Sequence, residues 1–138
     1  MVDGPTESDD LDQTESNRAV VQSFVETVLI DGQRDRLTDY IAEDSYAEHN
    51  PRLTDGFQAL KSALAASHEG GKHIDYQRIH RVLAEGNFVL CLSEGNSGGV
   101  HSAFYDLFRV AKGKLVEHWD TTEKIAPRSE WKNDNGKF

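Results

Sequence analysis

The sequence predicts an α+β domain in which helices come first and a run of antiparallel strands follows. Two observations carry this. Apolar residues recur with helical spacing through the first half of the chain, whereas from His73 onward the pattern changes to a period of two. Glycine-rich turns then divide the second half into four successive strands, a meander. The 138 residues suit one domain with a substantial core.

Residues 1–13 are acidic and polar, with Glu7, Asp9, Asp10 and Asp12 and almost nothing to bury. They read as a disordered or loosely attached tail. The single domain then spans 14–125. From about Glu15 to Ile30, Val20, Val21, Phe24, Val25, Val28 and Leu29 share one helical stripe, and Asp31-Gly32 stops it. A shorter helix covers Arg34 to Ala42, with Leu37, Tyr40 and Ile41 inward. Ser45 to Asn50 makes a short strand that Pro51 ends. Thr54 or Asp55 caps a third helix running to about Ser67, with Phe57, Leu60 and Leu64 on its buried side and Gly70-Gly71 closing it.

The strands follow. His73 to Leu83 is the first, with a turn at Glu85-Gly86-Asn87. Phe88 to Ser93 is a continuous apolar run, typical of a central strand buried on both faces. Gly95 to Gly99 reads as a flexible connection. Val100 to Val110 and Lys114 to Glu123 complete the meander. Residues 126–138 form a polar tail whose Trp131 and Phe138 can dock on the body or on a second subunit.

The chemistry concentrates in the last hairpin, FYDLFRVAKGKLVEHWDTTE. Alternation groups Phe104, Asp106 and Phe108 on one strand, and Val116, His118 and Asp120 on the next. A three-residue loop with Gly113 in the left-handed position sets Asp106 opposite His118 and Phe104 opposite Asp120. A loop of two or four residues shifts the register and sets Asp106 opposite Trp119. In the first case two carboxylates and an imidazole share a face with two phenyl rings, the mixture a small-molecule pocket needs. The plainer reading is a surface hairpin whose charges face water.

His49 and Asn50, at a strand end before a loop, lie where ligand-contacting groups often sit. The plainer reading has Asn50 only making the turn and His49 exposed. His68 and His73 are expected in solvent, and Glu69 beside His68 makes no metal site without converging partners. His80 cannot be assigned to a side of the sheet, and His101 has the opposite parity to Asp106. Cys91, the single cysteine, sits in an apolar run and reads as packing; it fits a reducing cytoplasm.

The net charge of −9 and the absence of a basic stripe argue against nucleic-acid binding. No apolar run approaches the roughly 20 residues of a membrane span, and MVDGPTESDD lacks the basic start and apolar core of a secretory signal. The expected location is cytoplasmic. No G-x-S-x-G elbow or phosphate-binding glycine loop is present.

The element order, with EHNP at Glu48 to Pro51, RVLAEGNFV at Arg81 to Val89, YDLFRV at Tyr105 to Val110 and GKLVEHWD at Gly113 to Asp120, resembles the SnoaL-like polyketide cyclase group of the nuclear transport factor 2-like superfamily. The resemblance spans about Ser16 to Thr122. It implies a cone-shaped, strongly curved sheet closed by three N-terminal helices over a pocket, in a homodimer packed through the sheets. It implies that Asp120 is general acid and base for an intramolecular aldol closure, assisted by Asp106, with His118, His49 and Asn50 at further polar pocket positions. The group's characterised cyclases carry a histidine where Asp106 stands. No metal and no cofactor is required by that mechanism.

The chemistry needs a carboxyl group whose pKa is raised toward working pH. The walls of Phe104 and Phe108 and a second carboxylate at Asp106 push Asp120 that way, while a protonated His118 acts against it. His49 or Asn50 would stabilise the enolate by hydrogen bonds. Three functions fit: a cofactor-independent acid–base enzyme acting on a small hydrophobic carbonyl compound, a ligand-binding protein without catalysis, or a structural dimer with its polar cluster satisfied. An epoxide hydrolase of this fold would use an Asp-Arg-Asp set, and Arg109 has the opposite parity to Asp106.

Overall fold

The computed structural model describes residues 3–66 and 73–138. The expectations for Ser67, His68, Glu69 and Gly70-Gly71 fall outside the described residues. Three helices accompany a five-stranded mixed sheet, as expected of an α+β cone. Helix α1 (Thr14–Phe24) continues into a π-helical stretch at Val25–Ile30, followed by α2 (Leu37–Tyr40), strand β1 (Ala47–Glu48) and α3 (Phe57–Ala66). The meander is β2 (Ile74–Glu85), β3 (Phe88–Ser97), β4 (Val100–Ala111) and β5 (Lys114–Lys124). The sheet order is β1-β5-β4-β3-β2, with β1 parallel to β5 and the remaining pairs antiparallel.

The helical stripe does what its spacing predicts. Val21, Phe24, Val25 and Val28 are buried and pack with Leu37, Tyr40 and Ile41 on the inner face of the sheet, against Val89, Cys91, Phe108, Val110 and Leu115. The Oδ1 of Asp55 accepts the backbone N–H of Glu48, tying the loop before α3 to β1.

Two strand expectations are corrected. Gly95, Asn96 and Ser97 belong to β3, not to a flexible connection. Only Gly98 and Gly99 form the turn, with φ of 58° and 78°, which suits a two-residue hairpin of the primed type. The apolar run of β3 is also not buried on both faces. Its burial alternates strictly, since helices cover only the inner side.

The last hairpin has a different register from the one favoured by the sequence. Ala111 pairs with Lys114, so the loop is two residues, Lys112-Gly113, both with positive φ (51° and 74°). A bulge then intervenes: Arg109 pairs with Glu117 and Val110 with Leu115, leaving Val116 as the extra residue. The shorter loop shifts the register by one and the bulge by one more. Parity is restored, and Asp106 lies opposite Asp120 and Phe108 opposite His118.

Ahead of α1, Asp9 exchanges hydrogen bonds with Asn87 in the β2–β3 turn, and Gly4 lies against Glu117 and Trp119. At the other end Phe138 stacks on His80 with ring centroids 4.0 Å apart. Among the described residues no helix is long and apolar enough to cross a membrane.

Candidate active site

The inner faces of β4, β5 and β1 converge on His118. Its Nε2 lies 2.9 Å from Oδ1 of Asp106, and its Nδ1 lies 3.0 Å from Oε2 and 3.2 Å from Oε1 of Glu48. Each carboxylate has a phenol as a further donor. Tyr76 donates its hydroxyl to Asp106 at 3.0 Å, and Tyr46 donates to Glu48 at 2.7 Å. The Asn50 backbone N–H also donates to Glu48, at 3.0 Å. Phe108 lies flat on the imidazole at 4.7 Å, and Phe104 stacks under Tyr76 at 4.3 Å. Asp106 is 1 % exposed, and these donors stand where water would otherwise satisfy its oxygens.

Asp120 stands apart from that chain. It is half-buried, and Asn50 donates from Nδ2 to its Oδ2 at 3.0 Å. Burial holds its carboxyl above the usual range; His118 and Asn50 pull the other way, while the charges of Asp106 and Glu48 add to the rise. Burial alone would lower the pKa of His118, but the hydrogen bonds and charges of Asp106 and Glu48 outweigh it and push it up to about 10. Burial would likewise raise Glu48, yet the His118 contacts, Asn50 and Tyr46 hold it below its ordinary value. Tyr46 and Tyr76 are both driven upward, first by burial and then by their carboxylate partners, so both remain donors.

Asp106, His118 and Asp120 also offer one donor atom each within 4.8 Å of one another, a grouping that could hold a cation. The donor chemistry fits poorly. Both ring nitrogens of His118 already meet carboxylates, and a metal would have to displace a proton from a strongly basic imidazole.

Of the residues singled out in the sequence, Asp106, His118, Asp120, Asn50, Phe104 and Phe108 come together. His49 does not. It lies on the outer face, with Nε2 2.7 Å from Glu117, its ring stacked on Trp119 at 4.6 Å, and Arg109 holding the other oxygen of Glu117 at 2.6 Å. Strand alternation through Glu48-His49 is the reason: the two side chains must point to opposite faces, and Glu48 takes the inner one. That alternation was the available signal for Glu48, and Tyr46 two residues earlier lies on the same side. Tyr76 had no such signal, because register shifts follow it in β2 at Tyr76/Arg78 and Ile79/Arg81. His80 and His101 both meet Glu94 on the outer face, at 2.8 Å and 2.7 Å. Burial pushes the Cys91 thiol up to about 11, consistent with packing.

Two depressions lie elsewhere. One of about 240 Å³ is on the outer face, between Leu83, Phe88, Leu90 and Leu107; the other, about 220 Å³, lies under the C-terminal segment at Ile125 and Trp131. Neither is lined by Asp106 or Asp120.

The SnoaL-like domain family matches residues 21–118. No curated protein matches the chain by sequence. Among solved structures, a candidate ketosteroid isomerase from Kribbella flavida superposes with a TM-score of 0.71 at 16% identity, covering 91% of this chain and 94% of that one. A candidate SnoaL-like polyketide cyclase from Jannaschia gives 0.63 at 19% identity, covering 87% and 92%. An LEH-like epoxide hydrolase from M. tuberculosis gives 0.60 at 20% identity, covering 80% and 85%. At these identities the likeness is one of fold.

Proposed function

This chain belongs to the SnoaL-like domain family, and on that premise we propose that it is a cofactor-independent acid–base enzyme acting on a small hydrophobic carbonyl compound, by aldol-type cyclisation, isomerisation or dehydration. The observation that carries this reading is the division of labour among the carboxylates. Asp106 and Glu48 are committed to His118, whereas Asp120 is half-buried, raised in pKa and held by a single amide. A base needs that combination: access to the substrate and a proton affinity moved toward working pH.

In the cyclisation, an oxygen of Asp120 takes the proton from a carbon flanked by two carbonyls. The Asn50 amide, freed as Asp120 is neutralised, donates to the enolate oxygen. The enolate carbon then bonds to a second carbonyl carbon, and the resulting alkoxide takes back the proton from Asp120. One C–H bond and the π bond of the attacked carbonyl break, one C–C bond and one O–H bond form, and the enzyme is restored. Isomerisation and dehydration share the first step. Asp106 and His118 act beside Asp120 by fixing the charge around it, and Phe104 and Phe108 exclude water. Epoxide opening by an Asp-Arg-Asp set finds no support, since Arg109 is held by Glu117 on the outer face.

The working unit is read as a homodimer joined through the outer sheet face. Leu83 is 55% exposed there, beside the apolar depression at Phe88, Leu90 and Leu107. A second reading, a homodimer that binds a small ligand without turning it over, draws on the complete satisfaction of the buried polar atoms among the described residues.

Deuterium uptake separates the two. In deuterated water, β-keto esters and aromatic β-diketones should exchange at the activated carbon faster than in buffer, and Asp120→Asn should abolish the excess. Ligand-induced stabilisation with no uptake for any compound would favour the binding protein.

A further inference from the structure

We infer that this site accepts neutral or cationic substrates and rejects anionic ones, and that Glu48 is the residue that sets this selectivity. The inference rests on the acid–base reading of the same site and adds the charge class of its substrate. An aspartate beside an imidazolium would be electrically neutral, and a carboxylate-bearing substrate could pair with the ring. Glu48 removes that option. It takes Nδ1 of His118 while Asp106 takes Nε2, so neither N–H remains for a substrate anion.

The charge count follows from the same contacts. Carboxylates only accept, so both ring nitrogens facing carboxylates must carry hydrogen and the ring is a cation. Two carboxylates, each also fed by a tyrosine hydroxyl, surround that single cation. The trio therefore holds one net negative charge, and ionised Asp120 makes it two.

No other cation offsets this in the described contacts. The Arg and Lys ion pairs among the described residues all lie elsewhere: Arg18 with Glu15, Arg36 with Asp39, Arg109 with Glu117, Arg128 with Asp134 and Lys137 with Glu123. Arg52, two residues beyond Asn50, meets it through a backbone N–H and is exposed. A substrate carboxylate brought beside Asp120 would meet like charge in a partly desolvated place, where repulsion is strongest.

The test is equilibrium binding by calorimetry, without turnover, of three ligands built on one acetophenone ring. They carry a methyl ester, a carboxylate or an aminomethyl group at the para position. The ester and the amine should bind, and the carboxylate should bind about tenfold more weakly or worse at low ionic strength. In Glu48→Gln that disadvantage should shrink about tenfold. Glu94→Gln, which removes an equal charge on the outer face, should leave it unchanged.

A carboxylate that binds the wild-type protein as well as the ester overturns the inference, and that comparison stands even if Glu48→Gln does not fold. A disadvantage that persists in folded Glu48→Gln overturns the role of Glu48. Charge discrimination without deuterium uptake would sink the enzyme reading alone; uptake without discrimination would sink the selectivity alone.

Discussion

Asp106 and His118 are diagonal neighbours across the last hairpin rather than directly opposed residues. The ladder sets Asp106 against Asp120 and His118 against Phe108, yet Nε2 of His118 reaches Oδ1 of Asp106 at 2.9 Å. Diagonal positions on one face lie within reach of a long or aromatic side chain. The arrangement lets Phe108 stack on the ring while Glu48, from the neighbouring parallel strand, takes the opposite nitrogen.

The first consequence concerns pH. His118 rises from an ordinary 6.5 to about 10, so folding favours the imidazolium. Its contribution to stability is complete below about pH 6.5 and is lost as pH climbs through about 10. A titration of the imidazole by NMR should find the ring still protonated at pH 8, and Tm should fall across that window. A ring that titrates near 6.5 would refute the doubly paired cation.

Asp120 behaves in the opposite sense to a stabilising carboxylate. Its pKa is raised in the fold, so the ionised form is disfavoured and stability declines as pH rises past its ordinary value and through the folded one. Asp120→Asn should therefore leave stability unchanged or raise it by up to about 1 kcal/mol. Proton exchange should drop by roughly 10²- to 10⁴-fold. Denaturation curves and deuterium uptake on one sample would check both.

Removing Asp106 should be costly. The buried His118 cation would lose one anionic partner, and Tyr76 its acceptor. Breaking one side of a buried ion pair costs about 3–5 kcal/mol. Asp106→Asn keeps some hydrogen bonding and should sit near the lower end, seen as a lower urea midpoint with an unchanged slope.

Gly95 is a packing requirement of the same site. A Cβ there would lie 1.9 Å from the carbonyl oxygen of Asp75 and 3.0 Å from the Phe104 ring. Gly95→Ala must push β2 outward, and Tyr76, which pairs with Gly95, moves with it. The expected loss is about 1–3 kcal/mol by overpacking, together with a weaker Tyr76–Asp106 contact visible in the tyrosine hydroxyl's NMR signal.

Much of this was written in local pattern. Helical spacing identified Val21, Phe24, Val25 and Val28 as core, and alternation placed Phe104, Asp106, Phe108, His118 and Asp120 on one face. That placement survived a wrong loop length, because the bulge at Val116 restored the parity the shorter turn had changed. Glycine position could not reveal the bulge: beside it Leu115 bridges to Ile41 and accepts the Ala42 N–H, and the Val110 N–H donates to the Asn87 carbonyl, contacts outside the hairpin.

By itself, then, the sequence determined the order of helices and strands and which residues of the hairpin share a face, since periodicity and turn chemistry act over a few neighbours. Only the tertiary structure decided that Glu48 rather than His49 joins His118, that Tyr76 crosses from β2 to Asp106, and that Asp120 is left half-exposed. Those outcomes depend on strands far apart in the chain meeting in one register, and on burial, which sets a group's proton affinity through everything packed around it.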